Sequence, residues 1–256
     1  MSGPDDLLAR HDVGLVRADN PTPYTLEGTN TWLVGRDPCW VVDPGPDIAA
    51  HADAVAAAAR ERGGVGGIAL THGHLDHAGG VEQLRERTGA PAPAPRRDGD
   101  VLGPLQVLAT GGHAPDHVVF VAGPVAFTGD AVLGRGSVFV APGEGSLSGY
   151  LAALEHLRDL RLELLCPGHG PPVTDPDKRL GSYVEHRLER ERALLAALGD
   201  GLRGVDELLD RVWHDAPPQL RTAATITLAA HLGKLEEEGR LPAGIERPVL
   251  PTLPTV

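Results

Sequence analysis

Aromatic side chains are scarce: three Trp, three Tyr and three Phe in 256 residues. With so few large rings, Ala, Val and Leu must fill the core. Cysteine is scarcer still, with only Cys39 and Cys166, too few for a disulfide framework. Each lies in an apolar, strand-like run, Cys39-Trp40-Val41-Val42 and Leu164-Leu165-Cys166, the setting of a buried thiol in a reducing compartment. No apolar run approaches the length of a membrane span. The first residues, Met1 to Asp6, are polar and acidic and lack the basic and apolar stretches of an export signal. The expected location is therefore the cytoplasm. Positive charge is also in deficit: the net charge is −12, which argues against a general nucleic-acid or membrane binder. Gly (33) and Pro (23) are plentiful enough for many turns without reaching the level of a disordered chain.

What the chain does have is a concentration of imidazole. His72, His74, Asp76 and His77 fall within Thr71-His72-Gly73-His74-Leu75-Asp76-His77. The apolar run Gly67 to Leu70 before it reads as a buried strand, and Ala78 to Arg85 after it reads as the start of a helix. Three imidazoles and a carboxylate thus crowd one strand-to-helix loop. Neutral imidazoles do not repel a cation, and a carboxylate adds the charge a divalent ion requires. A single His is usually a surface or core residue, but four such groups at the mouth of one strand point to a metal, with zinc the best match to imidazole.

The rest of the chain alternates strands and helices. Asn30–Gly35 and Trp40–Asp43 read as a strand pair around a polar turn at Arg36-Asp37-Pro38. Asp47 to Arg62 is Ala-rich and opens on a capping residue, Asp47, so it should be helical. Strands are expected at Leu105–Ala109, His117–Val121, Val125–Thr128 and Leu162–Cys166, and a helix at Ser146–Leu160. This alternation predicts a layered α/β architecture. Three of these strands run into Gly-containing loops that carry further ligand-type residues: His113 in Gly111-Gly112-His113, Asp130 in Thr128-Gly129-Asp130, and His169 in Pro167-Gly168-His169-Gly170. A glycine beside a ligand lets backbone pass close to a metal or substrate.

Together with Asp43 in Val41-Val42-Asp43-Pro44-Gly45, these residues resemble the pattern of metallo-β-lactamase-fold hydrolases over roughly residues 13 to 175. The resemblance implies an αββα sandwich, two mixed sheets face to face with helices outside and a two-metal site at one edge. It implies that His72, His74 and His113 hold one metal, that Asp76, His77 and His169 hold the second, and that Asp130 bridges them. Asp43 would orient the metal loop from behind the ligands. The metals would be two zinc ions, with iron or manganese as alternatives. Two metals about 3.5–4 Å apart would share a hydroxide able to attack a carbonyl or phosphoryl centre. Asp76 would orient the nucleophile and pass a proton to the leaving group. His117 is the side-chain candidate for a general acid or substrate contact, set against a structural hydrogen-bonding role at the start of a strand.

Asp130 and the acidic N-terminus set the chain apart from exported, antibiotic-hydrolysing members, and favour thioesters, lactones or phosphodiesters. A narrower similarity, to the β-lactamase-like protein 2 group, is carried by Asn20 to Thr31, by Thr128 to Gly136 and by Tyr183-Val184-Glu185-His186-Arg187. That group includes an endoribonuclease for single-stranded RNA and thioesterases of polyketide assembly. The substrate implied is a small acyl compound or, as the alternative, single-stranded RNA. The Pro-Ala alternation of residues 90–95 suits an extended link that would leave one pocket edge open.

Three regions are expected: a catalytic domain over 1–175, a helical, winged-helix-like domain over 176–240, and a loose Pro-rich tail over 241–256. Asp177–Leu198 should be a helix with an apolar stripe through Leu180, Tyr183, Leu188, Leu194 and Leu195. From Pro176 onward there are 11 Lys/Arg against 13 Asp/Glu, leaving 12 against 22 before it. A DNA-reading winged helix would show a basic stripe. None is present, so packing, a pocket edge or a homodimer contact is the expected role, and His186, His214 and His231 should be structural or exposed.

Overall fold

The computed structural model describes residues 3–91, 96–111, 113–140, 142 and 147–250. Most of the Pro-Ala alternation, Gly112 and Ser146 lie outside them. The first sheet has four strands, β1 (Val13–Arg17), β2 (Asn30–Val34), β3 (Cys39–Val42) and β4 (Val65–Ala69), in that spatial order. The first three are antiparallel, and β3 and β4 are parallel, joined through helix α2 (Ala49–Arg60). The second sheet has five, β5 (Val101–Leu102), β6 (Leu105–Ala109), β7 (Val118–Ala122), β8 (Val125–Gly129) and β9 (Leu164–Pro167). It too ends in a parallel pair, β8 with β9, joined through α5 (Leu147–Asp159).

Both faces of each sheet are covered, which explains why strands such as β2 and β8 are buried along their whole length. Alternate residues face opposite ways. Trp32, Val34, Val42 and Ala69 meet Val107, Phe120, Phe127, Leu164 and Cys166 between the sheets. Val41 and Ile68 point outward to Val55, Ala56 and Leu84 of α2 and α4 (Val81–Thr88). On the other side, Val119, Ala126 and Leu165 receive Tyr150, Leu154 and Leu157 of α5. The result is the expected αββα sandwich. Trp32 spans the inner layer, 6.3 Å from Phe127 between ring centroids, with its indole N–H donating to Pro167 O at 3.1 Å. Cys39 and Cys166 are free and buried, as their apolar runs required.

Several local expectations are corrected. Helix α2 starts after Ile48 without a side-chain cap, because the Asp47 carboxylate instead accepts a hydrogen bond from Gln83 of α4. The imidazole loop is shorter than expected: it turns helical at Leu75, so Asp76 and His77 sit in a one-turn helix, α3 (Leu75–Ala78). His117 precedes β7 rather than beginning it. The short N-terminal helix α1 (Pro4–Arg10) and strand β1 gave too brief a pattern to be read in advance.

The C-terminal region is helical, with α6 (Pro176–Gly199), α7 (Val205–Val212), a 3-10 turn at Pro218–Leu220 and α8 (Arg221–Glu237). Among the described residues it has no strand, so no wing of paired strands accompanies the helices. Helix α6 serves two cores: Leu180 and Tyr183 pack with α5, while Leu194, Ala197 and Leu198 pack with Leu208, Trp213, Leu228 and Leu232. Part of the supposed tail is anchored. Leu241 and Ile245 lie on this second core, Glu246 N donates to Arg203 O at 3.0 Å, and the Glu246 carboxylate accepts from Val205 N at 2.9 Å. No helix among the described residues is long and apolar enough to cross a membrane.

Candidate metal centre

The residues singled out in the sequence converge on one edge of the sandwich. Asp43 follows β3, His72 and His74 follow β4, His113 lies between β6 and β7, Asp130 follows β8 and His169 follows β9. Asp76 and His77 arrive on α3. The inner atoms nearly touch: His72 Nε2 is 2.9 Å from His74 Nδ1, and His113 Nε2 is 3.3 Å from the same atom. On the other side His77 Nε2 and His169 Nε2 are 3.3 Å apart. Asp76 Oδ2 approaches His169 Nε2 at 3.2 Å and His77 Nε2 at 3.4 Å. Asp130 lies between the two groups, with Oδ1 3.3 Å from His169 Nε2 and Oδ2 3.5 Å from His113 Nε2. Three sets could hold an ion: His72, His74 and His113; His72, His77 and Asp130; and Asp76, His77 and His169.

Hydrogen bonds behind the cluster fix which nitrogen faces inward. Thr71 donates its backbone N–H to Asp43 Oδ1 and its hydroxyl to Asp43 Oδ2, both at 2.7 Å. That hydroxyl must then accept from His72 Nδ1–H at 3.0 Å, leaving His72 Nε2 a bare lone pair. His77 Nδ1 donates to Asp43 Oδ2 at 2.8 Å, which bares His77 Nε2 in the same way. His113 Nδ1 faces Phe139 O at 3.4 Å and His169 Nδ1 faces Gly28 O at 3.5 Å. One carboxylate therefore sets two imidazoles, and two backbone carbonyls set two more, all with Nε2 turned to a common centre. Asp43 adopts φ +53°, a left-handed conformation for a non-glycine residue. Glycines allow the close approach: a Cβ on Gly168 would lie 2.5 Å from His77 Cε1 and 2.8 Å from Asp130 Oδ1, and one on Gly129 would collide with Thr71 Oγ1.

This donor set fits divalent metal. With their outer nitrogens engaged, His77 and His169 as neutral rings cannot hydrogen-bond each other through the facing Nε2 atoms, and Asp130 Oδ1 is buried without a hydrogen-bond partner. Metal would satisfy both at once. The electrostatics are those of a centre awaiting positive charge. Burial opposes charge on His77 and His169, but Asp76 and Asp130 outweigh it. They raise His77 well above its ordinary value and His169 to about 9. Burial would also raise Asp130, yet His169 and His77 hold it well below the carboxylate range. Burial, with the neighbouring imidazoles, pushes His72 down, and burial lowers His113 to about 4. A bound ion displaces the protons of the raised pair.

His117 is not brought to the cavity. Its Nε2 accepts from Asp130 N at 3.1 Å, so Nδ1 donates to Thr110 Oγ1 at 2.8 Å. Both nitrogens are committed, and the ring is 1% exposed. Those two bonds tie the ring to Thr110 and to the backbone of Asp130.

The cluster opens on a cavity of about 500 Å³. Tyr24, Leu26 and the 56%-exposed Leu75 form one side, Val138 and Phe139 another, and α6 and the C-terminal helices the rest, through His186, Arg187, Trp213 and Leu220. His186 thus lines the cavity rather than serving only as a structural or surface residue. Nothing in the local sequence marks Phe139 or Trp213 as wall residues; the segment containing His186 and Arg187 was visible only as a group similarity. Thr71, although adjacent to His72, carried no sequence signal for its link to Asp43.

Comparisons with known proteins agree with this geometry. The Metallo-beta-lactamase superfamily profile matches residues 24–105 and 96–169, and that of the Beta-lactamase associated winged helix domain matches 205–242. A Beta-lactamase-like protein 2 homolog from Drosophila melanogaster is 32% identical, with 87% of each chain covered. An Atrochrysone carboxyl ACP thioesterase from Aspergillus chevalieri is 31% identical over 82% of this chain and 75% of its own. Among solved structures, a metallo-beta-lactamase family protein from Thermus thermophilus superimposes with a TM-score of 0.69 at 29% identity, covering 89% of this chain and 94% of that one. The chain belongs to the metallo-β-lactamase superfamily and is a metal-dependent hydrolase.

Proposed function

We propose that this hydrolase cleaves acyl thioesters or closely related esters at a centre of two zinc ions. The observation that carries the reading is the joining of two clusters of candidate ligands, with Asp130 between them, to a largely apolar cavity. His72, His74 and His113 would hold one ion, Asp76, His77 and His169 the other, and Asp130 would contact both. Bound there, the ions supply Lewis acidity and a nucleophilic water at neutral pH.

In thioester hydrolysis, water adds to the carbonyl carbon, the C–S bond breaks, and the sulfur leaves as a thiol once it gains a proton. Asp76 would take the proton that the attacking water gives up and pass it to that sulfur. Thr29 Oγ1, at 3.4 Å, and His169 both engage its Oδ2, which leaves Oδ1 to orient water. Burial would raise Asp76, but His77 and His169 hold it below the ordinary value, so it remains a carboxylate at neutral pH. Leu26, Leu75, Val138 and Phe139 offer an acyl arm apolar contact and keep bulk water from it. His117 acts by holding the Asp130 backbone.

The named thioesterase relative supports the acyl reading over RNA, and so does a net charge of −12 without a basic face. A division near residue 175, with a cytoplasmic location for a chain whose thiols are both unpaired, completes the proposal. The deciding assay compares zinc-loaded and chelator-stripped protein on acyl thioesters and on single-stranded RNA, with Asp76→Ala as control. Zinc-dependent thioester cleavage lost in the variant is expected. Cleavage of RNA alone, with a steep loss of rate on adding salt, would replace this reading with the nuclease one.

A further inference from the structure

Arg187 is a buried cation that no carboxylate among the described residues pairs with. It sits on α6 with 2% exposure. One Nη group donates to Val138 O, the guanidinium lies 6.0 Å from the Tyr150 ring centroid, and Nε is buried without a hydrogen-bond partner. Among the described residues no carboxylate pairs with it, and the two obvious candidates are engaged elsewhere. Glu191, one turn along the same helix, is held by Lys234 at 2.7 Å and Arg240 at 3.0 Å. Asp215 is held by Arg190 at 2.7 Å. Burying a cation without a partner is strongly unfavourable, and an apolar residue of similar size would avoid that cost. Packing alone therefore does not account for an arginine here.

The same side chain lines the cavity that contains His74, Asp76, His113 and Asp130. His186 and Arg190 flank it on one face of α6 and line the cavity too. Most of the remaining wall is apolar, with Val138, Phe139, Trp213 and Leu220. That combination suits a ligand with an apolar arm and one terminal negative charge, and it does not suit a polyanion, which would need a run of cations.

We propose that Arg187, flanked by His186 and Arg190, is an anion subsite, and that the substrate is an acyl thioester bearing a carboxylate or phosphate away from its reacting carbon. This rests on the thioester reading above and adds to it a requirement for a second charge. A carboxylate would end the acyl arm, whereas a phosphate would end the thiol arm.

The test uses zinc-loaded full-length protein and two matched pairs of thioesters. One pair differs by a terminal carboxylate or its methyl ester on the acyl arm, the other by a phosphate or a hydroxyl on the thiol arm. In one pair the charged member should show a kcat/KM higher by about tenfold or more, mainly through KM, as expected for a charge-assisted hydrogen bond. Arg187→Gln should abolish that preference and Arg187→Lys should keep part of it. Because Arg187 is buried, a second measurement covers a poorly folding variant: the melting temperature of the wild type should rise more with a short dicarboxylate, or a phosphate monoester, than with its uncharged counterpart. Thioester turnover with no charge preference in either pair would overturn the subsite and leave the hydrolase reading standing. No turnover of any thioester would overturn both.

Discussion

Asp43 Oδ2 and His77 Nδ1 meet at 2.8 Å with side-chain exposures of 1% and 0%. The same oxygen accepts the Thr71 hydroxyl, and through Thr71 it also reaches His72. A residue behind the cluster thus decides which nitrogen two of its imidazoles turn inward. Replacing Asp43 with Ala should lower zinc affinity by about 10- to 100-fold, the usual effect of removing such a support. Competition with a chromophoric chelator would measure it. An affinity within about twofold of wild type would show that the histidines orient without Asp43.

Asp130 is the one carboxylate that stands between both groups of imidazoles. Asp130→Ala should reduce metal below two ions per chain and cut turnover by about two orders of magnitude or more. His74→Ala touches only one group and should lose one ion while retaining the other. Elemental analysis of the purified variants separates these outcomes. Two tightly held ions in Asp130→Ala would remove its bridging role.

His117 gives a prediction of the opposite kind. His117→Phe would orphan the Asp130 backbone N–H, at a cost of about 1–3 kcal/mol, while the Thr110 hydroxyl keeps its bond to the carbonyl of residue 117. Denaturant unfolding should register this loss. The acid limb of the pH–rate profile should stay where it is, since the ring offers substrate no free nitrogen. Disappearance of that limb would restore the general-acid role.

Acid sensitivity should come partly from histidines outside the centre. Burial lowers His51 to about 4 and His231 to about 3. His51 Nε2–H donates to Thr31 Oγ1 at 2.8 Å, because that hydroxyl itself donates to Asp43 O, whereas His231 has no partner for either nitrogen. Both are neutral in the fold but take up a proton near pH 6.5 when unfolded. Their contribution is fully present above about pH 6.5 and is lost as pH falls toward the folded values, on the order of 3 kcal/mol for His51 and 5 kcal/mol for His231. His231→Leu should therefore flatten the decline in unfolding free energy between about pH 6 and pH 4. An unaltered slope would show that the His231 ring is not titrating with unfolding.

The convergence of the candidate ligands was legible in the chain because imidazole and carboxylate gathered at strand ends are the residue types that a divalent metal demands. The strands and loops that carry ligands, from Trp40 to His169, could be read from apolar runs ending in glycine. What could not be read depends on geometry between distant segments. The Asp47 cap failed because a side chain on another helix, Gln83, competes for it. Which nitrogens of His117 are engaged depends on the position of the Asp130 N–H, which no local pattern reveals. The cavity wall is assembled from Leu26, Phe139, Arg187 and Trp213, residues whose local patterns are those of loops and ordinary helices.

Helix α6 packs on α5, the cover of the five-stranded sheet, with its first half and organises the C-terminal helices with its second. Its Arg187 and Arg190 face the cavity between those duties. Truncation before Pro176 would strip the α5 residues Tyr150 and Leu157 of the cover that Leu180 and Tyr183 give them and would not yield an intact hydrolase that merely lacks selectivity. Exchange of C-terminal regions between relatives has a corresponding constraint. A graft joined within α6, beyond Tyr183, would keep the sandwich sealed while importing a different wall, so new specificity can be transplanted only at that seam.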